Sequence, residues 1–186
     1  MFPYGLRLHV FYFLEGKMIK INSTIIYGSQ VCKVKDVRSM TVGKVTREYY
    51  VLAPVYDDKN IIYAPTDNPK VLEKIKEILS AEEIAELIRN MPENVSLWVD
   101  DDKERAVLYR ETLEKGDRTD VIRMIKTLYE KRKELNEKGK KLHSADEIAF
   151  QRAEKMIYDE FALVLDIKRE EVTPFILQQI KSVPNK

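Results

Sequence analysis

Cysteine and histidine are almost missing from this chain of 186 residues: Cys32, His9 and His143 are the whole supply. A lone thiol excludes an intramolecular disulfide and fits a reducing compartment, so a cytoplasmic location is expected. Three such residues do not assemble a zinc site, and no metal or cofactor is expected. The six glycines stand singly, without a phosphate-cradling loop. No apolar run approaches the roughly 20 residues that cross a bilayer, so no membrane partner is expected. A nucleophile with its base is also lacking. Cys32 and His143 would have to meet across two predicted domains with no third residue to orient the base, and an inert buried strand thiol is the plainer role. The run Asp100, Asp101, Asp102 resembles a magnesium cluster, but it opens a helix, where exposed backbone N–H groups favour acids. No catalytic residue emerges, and the chain reads as a non-enzyme.

What is present is 44% hydrophobic and 34% charged residues, a globular balance with a net charge of only +1. That total hides an uneven distribution. Lys103–Leu142 holds 13 Lys/Arg against 8 Asp/Glu, whereas Ser144–Val172 holds 4 against 8. A basic face therefore survives in a near-neutral chain, as attraction of a polyanion requires. Residues 1–17, "MFPYGLRLHVFYFLEGK", read as a leader before a second methionine, Met18. A start codon placed too early explains it, and an ordered extra strand or a weak peripheral anchor are the alternatives.

From Ile19 to about Leu79 the pattern is that of strands. "STIIYG" is a branched run closed by Gly28, and "VCKVKDV" alternates, with Val31, Lys33 and Lys35 on one side and Cys32, Val34 and Asp36 on the other. A hairpin at Gly43, "REYYVLAPV" and "IIYAP" follow, the last ended by Pro65. Short strands at such spacing predict a small β-barrel. "NPKVLEKIKEILS" fits either a helix or a closing strand. Beyond Ser80 the pattern is helical. Ser80 and Glu83 predict a capping box before the stripe Ile84, Leu87, Ile88 and Met91. Asp100 or Asp101 starts a helix stopped by Gly116. Asp117 starts another, with Val121, Ile122, Ile125, Leu128 and Tyr129 inward. Ser144 and Glu147 predict a second capping box, and a last helix meets Pro174. The expected class is α+β, a barrel over 18–79 followed by an all-α helical bundle over 80–186.

With chemistry excluded, recognition remains. Trp98, the only tryptophan, stands beside the basic helices, where it serves either as a packing anchor or as a base-stacking wedge. Lys103, Arg105, Arg110, Arg118, Arg123 and Lys126 follow it as candidate DNA contacts. Glu130 and Glu134 near the later cations mark part of this run as an ordinary solvated face.

Taken in order, "MIKIN", "TIIYG", "VCKV", "REYYVL" and "IIYAPTDN", then "LEKGD", "VIRMIKTLY" and "EFALVL", resemble the bacterial CarD/CdnL family from Met18 to about Val183. That resemblance implies a Tudor-like or SH3-like barrel that docks on the RNA polymerase β subunit, and a helical domain that touches promoter DNA at the upstream edge of the melted region. It implies a monomeric, cytoplasmic transcription regulator that stabilises the open promoter complex. Edge-to-edge strand pairing would place the polymerase contact at Met40, Thr41, Val42, Ile62 and Tyr63. Members carry arginines at the positions aligned with Met40 and Tyr63, and their wedge aligns with Asp102, about four residues beyond Trp98. A protein–protein adaptor without DNA contact is the alternative, and an enzyme acting on a small substrate is a third class.

Overall fold

Alternating branched and aromatic residues lay down the first unit, and amphipathic, capped helices the second. The structure is a computed structural model that describes residues 12–14, 17–57, 59–90 and 96–182. The chain divides into two compact units, Met1–Ile78 and Leu79–Lys186. In the first, β1 (Tyr12–Leu14) and β2 (Lys17–Ile19) form an antiparallel two-stranded sheet, so strand structure lies within the stretch read as a leader. β3 (Thr24–Tyr27), β4 (Gln30–Val42), β5 (Val45–Pro54), β6 (Ile62–Pro65) and β7 (Ile75–Glu77) form a second antiparallel sheet in the order β6-β5-β4-β3-β7.

The expected barrel does not form. The five-stranded sheet is open, with β6 and β7 as its two edges. Both edge strands are short, four and three residues. β6 ends in Pro65, which has no N–H to donate, and β7 carries Lys76 and Glu77. Shortness, proline and charge protect these edges in place of closure. Strand spacing along a sequence fixes a meander; whether its first and last edges meet depends on curvature and stagger.

Cys32 and Val34 of β4 are buried with Ile25, Tyr50, Leu52 and Ala64 in one core, while Lys33 and Lys35 stay exposed. Val31 departs from its expected polar side. It is buried opposite its cross-strand partner Ile26, so apolar side chains are covered on both faces of the sheet there. A bulge between Val34 and Asp36 then shifts the β4–β5 register. The ambiguous segment resolves into both elements: α1 (Pro69–Leu72) is one turn capped by Asn68, and Ile75–Glu77 pairs with β3.

The second unit contains α2 (Ala81–Arg89), α3 (Asp102–Lys115), α4 (Arg118–Glu137), α5 (Ser144–Leu165) and α6 (Arg169–Ser182). The first capping box is present: the Ser80 hydroxyl accepts from the Glu83 N–H at 3.1 Å, and Glu83 accepts from the Ser80 N–H at 2.7 Å. Such caps contribute about 1 kcal/mol each. Asp101 caps α3, Asp117 caps α4, and Gly116 between them takes φ 60°, a conformation that favours glycine. The second capping box does not form. His143 is the N-cap of α5, its Nδ1 accepting from the Ala145 N–H, while Glu147 is drawn to Gln151 and Arg132. Pro174 lies inside α6 without ending it.

Ile84, Ile88, Tyr109, Val121, Met124, Leu128, Phe150, Ile157, Phe161 and Val172 are among the residues that fill the helical core. Met91 of the predicted stripe lies outside the described residues. Tyr129, expected inward, is 56% exposed. It shares a side of α4 with buried Ile122 two turns earlier, and periodicity gives the side without giving where the cover ends.

Candidate interaction surfaces

β4 and β5 form a ribbon longer than its neighbours. β3 pairs with β4 only from Gln30 to Lys33, and β6 pairs with β5 only from Tyr49 to Leu52. Met40, Thr41 and Val42 therefore project with Arg47, Thr46 and Val45 as their cross-strand partners. The Thr41 and Thr46 hydroxyls are hydrogen-bonded at 2.9 Å, and Val42 is 63% exposed. Gly43, at φ 66°, turns the tip. The Val34 N–H and C=O are taken by Ser23 and Asn22, and beyond them, from Lys35 to Val42, no other strand lies along β4 among the described residues.

The outer edge of β6 is likewise unpaired among the described residues. Thr66 N–H donates to Glu48 O at 3.0 Å, which fixes the alternation of the β5–β6 ladder. Val51 and Tyr63 are then a non-hydrogen-bonded pair, and the N–H and C=O of Tyr63 point to the open edge. Ile62 does the reverse. Its side chain packs on the sheet core and its peptide groups face β5, so of the two expected contacts on this strand Tyr63 alone offers an edge. Arg38, exposed and held to Asp36 at 2.8 Å, lies within electrostatic reach of Tyr63.

In the helical unit, two of the expected DNA contacts are committed elsewhere. Arg105 is 2% exposed. Its Nε and Nη2 donate to the two carboxylate oxygens of Asp146 at 3.0 and 2.9 Å, and Nη2 also donates to Asp102. Nη1 donates to the carbonyls of Val99 and Asp100 at 2.6 and 3.3 Å. The guanidinium is thereby spent inside the fold, and the hydrogen bond to Asp146 is the main cause of its raised pKa. Arg118 donates to both oxygens of buried Glu160, at 3.2 and 2.9 Å, and Glu160 also accepts the Leu79 N–H at 2.9 Å. Both arginines are structural cross-links of the helical unit, not free phosphate ligands.

Trp98 is half-buried against the core. The Arg105 guanidinium lies 4.1 Å and the Lys131 ammonium 4.9 Å from its ring centroid, and its indole N–H donates to Asp100 at 2.9 Å. The Leu97 N–H donates to the Thr127 hydroxyl at 3.0 Å, pinning the same connector to α4. Each of the three aspartates has work within the chain: Asp100 holds Trp98, Asp101 caps α3 and Asp102 meets Arg105. Among the described residues no cluster of acids, histidine or cysteine is arranged for a metal ion. Of the remaining candidates, Arg123 pairs with Asp120 at 3.1 Å, Lys126 is partly buried, and Lys103 and Arg110 are exposed on α3. The missed partners, Asp146 and Glu160, carried a signal. They are acids at buried positions of an apolar helix, and such acids require cations.

Residues 19–76 match the CarD-like/TRCF RID domain. This stretch of the first unit is thus similar to a domain of the RNA polymerase β-interacting class. The match ends at Lys76 and leaves the helical unit outside it. No curated protein matches the chain significantly.

Proposed function

We propose that this chain is a bacterial, non-enzymatic transcription regulator of the CarD/CdnL kind. It docks on the RNA polymerase β subunit through the edges of β6 and β4 and carries its helical unit to promoter DNA at the upstream margin of the melted region. The observation that carries the reading is the CarD-like/TRCF RID match on a sheet whose β6 leaves the Tyr63 peptide unpaired among the described residues. A partner strand added there gains main-chain hydrogen bonds, and Tyr63 and Arg38 give side-chain selectivity. Contacts made only to opened DNA would shift the closed–open equilibrium, about tenfold for each 1.4 kcal/mol of differential binding. Exposed Lys103 and Arg110 on α3 support the DNA contact. Arg105 enters it only by fixing the connector that bears Trp98.

Tyr63→Pro tests the docking. It removes an outward N–H without breaking the ladder to β5, so the full chain should fold normally yet lose capture of the isolated β subunit. Undiminished capture by a folded variant would reject edge pairing. The adaptor reading draws its support from the burial of Arg105 and Arg118 and the acids around Trp98. It predicts no salt-sensitive affinity for DNA, whereas neutralisation of several phosphates makes affinity fall steeply with salt.

A further inference from the structure

Among the described residues of the helical unit Tyr129 is the most exposed large apolar or aromatic side chain, and no packing role in the described fold accounts for it. It lies on α4 with Lys126 one turn before it and Arg132 and Lys133 one turn after, on the stripe that residues three and four apart share. Tyr129, Arg132, Lys133, Asn136 and Glu137 line an open groove of about 480 Å³. The stretch from Lys126 to Lys141 contains seven Lys/Arg against three Glu, and two of those cations, Lys131 and Lys138, are shared by Glu134. Lys133, Lys140 and Lys141 have no ion pair among the described residues, and all three are exposed. Trp98, by contrast, already uses its ring on Arg105 and Lys131 and its N–H on Asp100.

We infer that Tyr129 is a stacking platform for an unpaired nucleobase, with Lys133, Lys140 and Lys141 following the adjoining phosphates. An exposed aromatic face flanked by cations is the arrangement that single strands select, because every base offers a π-face and every linkage a negative charge. A duplex hides its bases, so it can use the lysines and not the phenol ring. An acidic protein would likewise use only the lysines. The inference deepens the nucleic-acid part of the proposed function and is independent of polymerase docking.

The test uses the full chain and fluorescence anisotropy with a mixed-sequence DNA strand of about 15 nucleotides, the matching RNA strand, and the DNA duplex. Either strand should bind more tightly than the duplex, and the tighter of the two identifies the natural ligand. Tyr129→Ala should weaken single-strand binding about tenfold and leave duplex binding unchanged, while Tyr129→Phe retains the affinity. Circular dichroism should show both variants folded, since the side chain is exposed. Lys140→Glu with Lys141→Glu should weaken all three ligands and flatten the salt dependence. If Tyr129→Ala binds single strands as the wild type does, or the duplex is preferred, the stacking platform is refuted and the DNA-contact reading stands. If the wild type binds no nucleic acid even at low salt, both fail together.

Discussion

Arg105 and Asp146, 41 residues apart in the chain, meet through two parallel charge-assisted hydrogen bonds with both side chains almost wholly out of water. The pair joins α3 to α5, and the same guanidinium holds the backbone of Val99 and Asp100. Removing one member strands the other's charge in a site built for two. Arg105→Ala or Asp146→Ala should therefore cost about 3–5 kcal/mol of stability, measured by urea unfolding. Replacing both by leucine should cost far less. Loss of DNA binding in Arg105→Ala would consequently report unfolding and not a lost phosphate contact.

Glu160 is a second such junction. It accepts from Arg118 and from the Leu79 N–H, so Glu160→Ala orphans a guanidinium and a backbone donor together. A loss of about 3 kcal/mol or more is expected. Arg118 is partly exposed, so water can reach its cation, and Glu160→Ala should remain less damaging than Asp146→Ala. Thermal melting of the two variants side by side decides the order.

One acid-sensitive contact lies at the end of α4. Hydrogen bonds from Lys138 and then Lys131 hold the Glu134 carboxyl at about 2, below its ordinary value of 4.5. Because the folded value is depressed, the stabilisation is present above the unfolded value and is lost as pH falls from about 4.5 towards 2. Glu134→Gln should flatten the melting temperature over that window relative to wild type. The group is exposed, so the difference should be small and should vanish in high salt.

Burial pushes the Cys32 thiol up to about 11. With the thiolate suppressed and the sulfur enclosed, a disulfide reagent at pH 8 should label the native chain only at the rate of unfolding. Rapid stoichiometric labelling in native buffer would show that the sheet core opens.

The sequence alone determined the local elements, because caps and periodicity act over a few residues. Ser80 with Glu83, Asp101, Asp117 and Gly116 mark helix ends through groups within one turn of each other, and Cys32 and Val34 mark the buried side of β4 by alternation. The first unit's resemblance was legible for the same reason. The cap of α5, at His143 and not Ser144, is a local miss; the larger failures are of longer range. Barrel closure required β6 to meet β7, and no local pattern records that they do not. Whether Ile62 or Tyr63 offers its peptide to a partner depends on the hydrogen-bond phase of the β5–β6 ladder. Arginine looks the same in a sequence whether it seeks a phosphate or an acid 41 residues away. Only the tertiary structure could assign Arg105 and Arg118 to Asp146 and Glu160, because the desolvation that makes such pairs obligatory exists only once the helices have packed. Burial by a neighbouring element also decided the aromatics, enclosing much of Trp98 and leaving Tyr129 in water.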